Sequence, residues 1–118
     1  YKNGYTPVEY DHHALTYLKA VDGKHQFALP IESWGAITGS DNVVLWTAKI
    51  SLELLEVNQQ GTTATLKRVG SIEAPMQQPF ISSFGDRSVI HGDDIYYIHG
   101  NQVWHSLWSD PSSVDGPY

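Results

Sequence analysis

The chain has 118 residues, of which 41% are hydrophobic, with 13 acidic against 7 basic side chains. This apolar fraction is typical of a folded globular chain and argues against extended disorder. The net charge of -6 disfavours a nucleic-acid ligand, because binding to phosphates needs clustered Lys and Arg. The absence of cysteine excludes disulfides, zinc-thiolate sites and thiol catalysis, and no apolar run reaches the roughly 18 residues that span a bilayer.

The first predicted element is a β-hairpin near the amino terminus. Residues 14–21 and 24–31 flank Asp22-Gly23, a dipeptide that adopts the positive φ angles of a type I′ turn. The segment therefore predicts two antiparallel strands joined by a tight turn. The predicted register places Leu18 opposite Phe27 and Thr16 opposite Leu29.

A second hairpin is predicted further along the chain. Residues 49–57 and 62–72 are joined by the polar segment 58–61, whose length suits a hairpin loop. A helix competes for this region, because apolar side chains recur at steps of three and four residues between 43 and 57. The strand interpretation is preferred, since the partner segment is rich in threonine. The flanking segments 33–42 and 73–85 have little periodicity and contain Gly, Pro or Ser, so they predict long connections.

Three short runs near the carboxyl terminus predict a three-stranded meander. Residues 87–91, 94–99 and 102–107 are separated by Gly92-Asp93 and Gly100-Asn101. Both dipeptides place glycine at the first central position, as type II′ turns require. The predicted pairs across the meander are Tyr97 with Trp104 and Ile98 with Val103.

The strands of this meander carry apolar side chains on both faces. A sheet with one solvated face alternates apolar and polar residues, so these sheets need cover on both sides. Radially packed β-propeller blades provide that cover, since each small sheet lies between two neighbours. The sequence therefore predicts an all-β fold of antiparallel meander sheets, forming about two blades of a β-propeller. One face presents Ile95, Tyr97 and Trp104, and the other presents Tyr96, Ile98, Val103 and Leu107.

Four short motifs occur in order along residues 8–107. They are YDHHAL at residues 10–15, FALPI at 27–31, LELLEV leading to LKRVGSI at 52–72, and DRSVIHGDDIYYI at 86–98. Together they resemble a family of secreted prokaryotic proteins with a C-terminal β-propeller domain. The resemblance implies a propeller fold, a secreted or cell-surface location and a chain that corresponds to the C-terminal portion of that domain. It also implies a structural role for His12, and it implies no reaction.

We expect the chain to be a single fragment of such a domain, spanning residues 1–118. Residues 14–72 correspond to one four-stranded blade, residues 87–107 to a second blade of three strands, and residues 108–118 to an irregular tail. A closed ring takes about 4 to 8 blades, and the chain begins at Tyr1 without an initiator methionine, so we expect a piece of a longer protein. Its open blade faces would pack on the rest of its own propeller or on further copies of the chain, which predicts an oligomer.

The six histidines offer the clearest potential for metal chemistry. The candidate ligands for zinc or copper are His12, His13 and His91. The first two follow Asp11, whereas the third adjoins a turn. His99 and His105 belong to opposite faces of the meander, which argues against convergence of all the imidazoles. No HExxH or His-x-His spacing occurs, so a structural or surface role is the preferred interpretation.

No catalytic constellation is recognised. The sequence has neither a Gly-x-Ser-x-Gly elbow nor a glycine-rich phosphate loop followed by lysine. A glycosidase needs two carboxylates in one cleft, but Asp93-Asp94 falls in a tight turn and Glu53 and Glu56 fall on opposite faces of a strand. These charges are predicted to be solvated, and no catalytic residue and no cofactor are expected.

Two tryptophans are candidates for ligand contact. Trp34 and Trp108 adjoin predicted loops, where an indole can stack on a sugar ring, although covering a sheet edge is the competing role. The preferred function is a non-catalytic extracellular binding or scaffold domain that contacts a protein or a glycan through its loops. The alternative is a share in a multi-blade enzyme or metal site that uses histidines.

Overall fold

In a computed structural model, which describes residues 4–19, 23–75 and 81–118, the chain folds into two antiparallel β-sheets. The only helices in these ranges are two short 3₁₀ turns, Pro7–Glu9 and His12–Ala14. None of the described helices is long and apolar enough to cross a membrane. The predicted all-β, antiparallel fold is therefore confirmed. Asp22 of the first predicted turn and residues 76–80 of the last predicted connection lie outside the described residues.

The first sheet contains two very long strands that form its centre. Its strands are β1 (Gly4–Tyr5), β2 (Thr16–Lys19), β3 (Lys24–Thr38), β4 (Val44–Gln60) and β5 (Thr63–Ala74). β3 pairs with β4 and β4 with β5, while β1 and β2 both pair with the free edge of β3. The two short strands thus share one edge of a long ladder.

The predicted register of the first hairpin is wrong by one residue. Thr16 pairs with Ala28, and Leu18 pairs with Gln26. Because side chains alternate between faces, a shift of one residue moves a side chain to the other face. Thr16 therefore shares the buried face of Ala28, where its hydroxyl lies 2.7 Å from Ser88 Oγ in the second sheet.

Two predicted loops are shorter in the structure. Residues 33–42 were expected to connect strands, but β3 continues to Thr38 and β4 begins at Val44. The predicted 58–61 loop is likewise replaced by a turn at residues 61–62, because β4 runs to Gln60. Continuous pairing of β3 with β4 satisfies the backbone groups of these polar, Gly-containing segments and so overrides their weak strand propensity.

The competing helix over residues 43–57 is excluded by β4. Residues 51–54 are buried without alternation, including Ser51 and Glu53. A central strand covered on both faces lacks the alternation that identifies a half-buried strand. The helical spacing therefore does not describe this segment, which pairs with β3 and β5 along its length.

The second sheet matches the predicted meander. Its strands are β6 (Arg87–His91), β7 (Asp94–His99) and β8 (Gln102–Leu107), in that order. Gly92 and Gly100 have φ angles of 61° and 59°, and the residues that follow them have negative φ, as in type II′ turns. The predicted pairs of Tyr97 with Trp104 and Ile98 with Val103 are confirmed.

The two sheets pack face to face around one hydrophobic core. The first sheet contributes Ala28, Ile50, Leu52, Leu54, Ile72 and Ala74, and the second contributes Ile90, Ile95, Tyr97, Trp104 and the adjoining Trp108. The outer face of the second sheet is more open, since Val89 and Tyr96 are 48% and 38% exposed. Each sheet is thus covered by the other on one side.

The segment after β8 follows the edge of the second sheet. Residues 108–118 were predicted to form an irregular tail, and most of them have no regular secondary structure. The segment nevertheless returns antiparallel to β8, with paired backbone hydrogen bonds between His105 and Asp115 and between Val103 and Tyr118. These bonds satisfy backbone groups on an edge that would otherwise be open.

Candidate functional site

A short turn before β2 presents two adjacent histidines. Asp11 caps the 3₁₀ helix His12–Ala14: its Oδ1 accepts a hydrogen bond from the backbone N–H of His13 at 3.0 Å and lies 3.1 Å from His13 Nδ1. The rings of His12 and His13 are 4.1 Å apart between centroids. Asp11, His12 and His13 each offer a ligand atom, and these atoms lie within 4.8 Å of one another. Both histidines are exposed.

The Asp11 carboxylate is also tied to the second sheet. Its Oδ2 accepts a 2.6 Å hydrogen bond from Arg87 on β6. The backbone N–H of His13 is the main cause that lowers the pKa of Asp11, and the His13 ring and Arg87 add to it against the effect of desolvation. The carboxylate is therefore ionised and held in one orientation, which leaves Oδ1 facing the histidine side of the turn.

The third predicted metal ligand, His91, is not part of this group. It is the exposed last residue of β6, four residues beyond Arg87. Four residues of extended strand span about 13 Å, so the strand carries His91 well away from the arginine that contacts Asp11. Among the described residues, the structure brings together His12 and His13 and leaves out His91.

The remaining histidines are engaged in contacts within the chain. His25 Nδ1 lies 2.6 Å from the Tyr17 hydroxyl, and His105 Nε2 lies 2.8 Å from Asp94 Oδ1. His99 is buried. As predicted, His99 shares the Tyr97 face, whereas His105 contacts Tyr96 on the opposite face.

A buried carboxylate that the sequence did not indicate joins β7 to the loop before β6. Asp86 is 1% exposed, and it accepts hydrogen bonds from the Tyr97 hydroxyl at 2.5 Å and pairs with His99 Nδ1 at 2.8 Å. Burial raises the pKa of Asp86 above its ordinary value, although both partners oppose the shift. Burial, followed by the charge of Asp86, also raises the pKa of Tyr97. Asp86, Tyr97 and His99 are therefore buried and hydrogen-bonded to one another.

A second buried carboxylate, Glu32 on β3, organises one end of the molecule. Its Oε2 accepts hydrogen bonds from the Tyr5 hydroxyl, the Ser82 hydroxyl and both the N–H and the hydroxyl of Ser83, and its Oε1 accepts one from Trp34 Nε1. Burial alone would raise the pKa of Glu32, but these donors outweigh it and hold the pKa below its ordinary value. Glu32 thus joins β1, β3 and the 81–86 loop.

The acidic residues considered for glycosidase chemistry each bind a different partner within the chain. Glu53 was predicted to be solvated, but it is 2% exposed and binds Arg68 through its Oε2 at 2.7 Å. This correction follows from the two-sided cover of β4. Asp93 accepts hydrogen bonds from the N–H and hydroxyl of Ser109, and Glu56 accepts one from Trp108. No pair of these carboxylates is seen to share a cleft in the described structure.

The two predicted ligand-contacting tryptophans differ in their surroundings. Trp34 is partly exposed, and its Nε1 donates a 2.9 Å hydrogen bond to Glu32. Trp108 is 7% exposed and belongs to the core between the sheets. A stacking role for Trp108 stays a prediction, and the burial of its ring argues against it.

An exposed aromatic pair that the sequence did not indicate lies next to the Glu32 cluster. Tyr10 and Phe84 are 71% and 60% exposed, yet their rings stack with centroids 5.7 Å apart. Phe84 directly follows Ser83, which Glu32 binds, and the same Glu32 carboxylate binds Trp34. Glu32 therefore binds both the Trp34 N–H and the residue that precedes Phe84, and Phe84 stacks on Tyr10. We call Tyr10, Trp34 and Phe84 the aromatic surface.

Two antiparallel sheets that share one core are compatible with neighbouring blades of a β-propeller, which are typically four-stranded antiparallel sheets. A family model described as "Beta propeller domain" matches residues 1–110. The chain therefore belongs to the β-propeller domain family, and about two blades account for its sheets. No curated protein and no solved structure matches the chain. The assignment of residues 14–72 and 87–107 to individual blades stays a prediction.

The sequence indicated one of these sites and not the others. The Asp11-His12-His13 run was recognised because its ligands are adjacent in the chain. By contrast, Glu32 and Ser83 are 51 residues apart, and Tyr10 and Phe84 come from two loops. A charged residue within an otherwise apolar strand is the signal that could have identified Glu32, since such a residue is buried only with partners.

Proposed function

We propose that the chain is part of a non-catalytic, extracellular β-propeller that binds a protein or a glycan through the aromatic surface. The observation that carries the proposal is a contrast between buried ionisable side chains, which are internally hydrogen-bonded, and aromatic rings that are exposed. The buried ionisable side chains in the described ranges are all hydrogen-bonded within the chain, whereas Tyr10 and Phe84 are held in place and exposed. Such groups support recognition better than proton transfer. The buried set is Glu32, Glu53, Asp86, Tyr97 and His99.

The geometry of the aromatic surface suits a flat apolar ligand face. Stacked rings that are fixed by neighbours lose little conformational freedom on binding, so they provide contact area at a low entropic cost. The rings of Tyr10 and Phe84 are inclined by 29° to each other, and Trp34 is fixed through its Nε1. An aromatic side chain of a protein or the apolar face of a sugar would complement such a surface.

The extracellular location and the prokaryotic origin rest on the resemblance of the YDHHAL, FALPI, LKRVGSI and GDDIYYI motifs. Placement at the carboxyl end of a longer propeller has the same support. The open outer face of β6–β8, with Val89 and Tyr96, supports packing against a further blade or a second copy of the chain, because exposed apolar patches favour association. Immunodetection in the culture medium tests secretion, and retention of all the protein inside cells would contradict it.

The binding proposal is tested with a glycan array and a panel of chromogenic glycosides, esters and peptides. We expect binding to array members without turnover, and at least about tenfold weaker binding for the Tyr10→Ala, Phe84→Ala double variant, since an aromatic contact contributes on the order of 1 kcal/mol. Tyr17→Ala is the matched control, because Tyr17 is an exposed aromatic residue, 49% accessible, on β2. Turnover of any panel member, or equal losses in both variants, would refute the proposal.

A further inference from the structure

The geometry points to a site for a divalent transition-metal ion, of the zinc and copper class, formed by Asp11, His12 and His13. This inference is independent of the proposed ligand-binding function. It rests on three side chains of the ligand types that these ions prefer, two imidazoles and a carboxylate, gathered at one turn. Because the chain has no cysteine, nitrogen and oxygen ligands are the set available to it.

The distances within the turn are close to those of a coordination sphere. Two ligand atoms about 2.1 Å from a tetrahedral zinc ion are about 3.4 Å apart, and Asp11 Oδ1 lies 3.1 Å from His13 Nδ1. An ion can therefore be bound by both atoms after a small widening of their separation. The third ligand atom lies within 4.8 Å of the others, and rotation of the exposed His12 ring can provide the remaining movement of at most about 1.4 Å.

The surroundings of the turn hold the carboxylate in place. Arg87 binds Asp11 Oδ2, and the backbone N–H of His13 binds Oδ1. Contacts of this kind orient a ligand before the ion arrives. The positive charge of Arg87 opposes the ion, but it is paired with the oxygen that faces away from the histidines. Three protein ligands on an exposed turn leave positions for water or for a group from a partner.

His91 provides a matched control for the two proposed imidazole ligands. It is also exposed, but it does not belong to the group. The His91→Gln variant therefore makes the same chemical change on the same surface without removing a proposed ligand. His12→Gln and His13→Gln are exposed substitutions, so their folding can be compared directly by circular dichroism.

Zinc chloride is titrated by calorimetry into the full chain after removal of any affinity tag and dialysis against a chelator. We expect one equivalent to bind, His12→Gln and His13→Gln each to weaken binding by about tenfold or more, and the double variant to lose it. His91→Gln should leave the affinity unchanged, and zinc should shift the NMR ring signals of His12 and His13. Equal affinity in the double variant, or a loss in His91→Gln as large as in the single variants, would overturn the site.

Discussion

Replacement of Glu32 by glutamine tests whether one buried carboxylate holds the loop of Ser83 against the two-sheet body. Glutamine has the same shape but keeps only one acceptor oxygen. If its carbonyl takes the place of Oε2, its amide N–H faces the Trp34 N–H, and the remaining hydrogen bonds from Tyr5, Ser82 and Ser83 lose their charge assistance. The variant therefore loses an acceptor without losing volume.

The expected cost follows from these contacts. Leaving a buried donor unsatisfied costs about 1–3 kcal/mol, and a hydrogen bond to a charged group contributes more than a neutral one. Together these effects predict that Glu32→Gln lowers the free energy of unfolding by about 3 kcal/mol at pH 7. The corresponding fall in Tm for a chain of this length is about 10 °C. The matched control is Glu73→Gln, which removes only an exposed ion pair with Lys49 and should cost less than about 1 kcal/mol.

The assay is urea unfolding followed by tryptophan fluorescence, repeated at several pH values. Because the folded-state pKa of Glu32 is lowered from its ordinary value of 4.5, its ionisation stabilises the fold above that value, and the stabilisation is lost as the pH falls through the folded-state pKa. Glutamine at position 32 has no ionisable group. The difference in free energy of unfolding between the variant and the parent chain should therefore shrink as the pH falls. The reasoning would be refuted if Glu32→Gln and Glu73→Gln lowered the free energy of unfolding equally. It would also be refuted if the difference in stability between Glu32→Gln and the parent chain grew as the pH fell.

Three further predictions concern the stability of two matched pairs of variants and the association state of the chain. Tyr97→Phe removes a hydroxyl from a buried carboxylate and should cost about 1–2 kcal/mol by urea unfolding, whereas Tyr96→Phe on the open face should cost almost nothing. Leu54→Ala should cost about 2–5 kcal/mol because Leu54 is fully buried, and Leu66→Ala, at a 69% exposed site, less than about 0.5 kcal/mol. Light scattering should detect association that Val89→Lys reduces, and a monodisperse 13.2 kDa species would contradict it.

The sequence was most informative where local chemistry determines the structure. The Gly92 and Gly100 turns fix the bounds and the register of β6, β7 and β8, because a two-residue type II′ turn allows one alignment of its strands. In the first hairpin, by contrast, the turn residues did not predict the correct register. Its register depends on pairing with the rest of a long sheet, and Thr16 lies opposite Ala28 and beside Ser88 of the other sheet.

Segments of low strand propensity were the main source of error in the fold. Residues 33–38 and 58–60 were predicted as loops from their Gly, Ser, Asn and Gln content. In the structure they extend β3 and β4, since every residue added to a paired ladder satisfies backbone groups that a loop would leave to water. Strand propensity is a property of one segment, whereas the stabilisation from backbone hydrogen bonds depends on both paired strands. The composition of a single segment therefore does not reveal where its strand ends.

The same distinction applies to the candidate sites. Asp11, His12 and His13 could be identified because they are neighbours in the chain, but the aromatic surface depends on contacts between residues far apart. Tyr10 stacks on Phe84, and the preceding residue, Ser83, is hydrogen-bonded to Glu32. Under the proposed function, the stability of this loop and ligand binding would both depend on the Glu32 carboxylate. If the proposed function is right, Glu32→Gln should also weaken glycan binding by shifting Phe84, although Glu32 itself is buried.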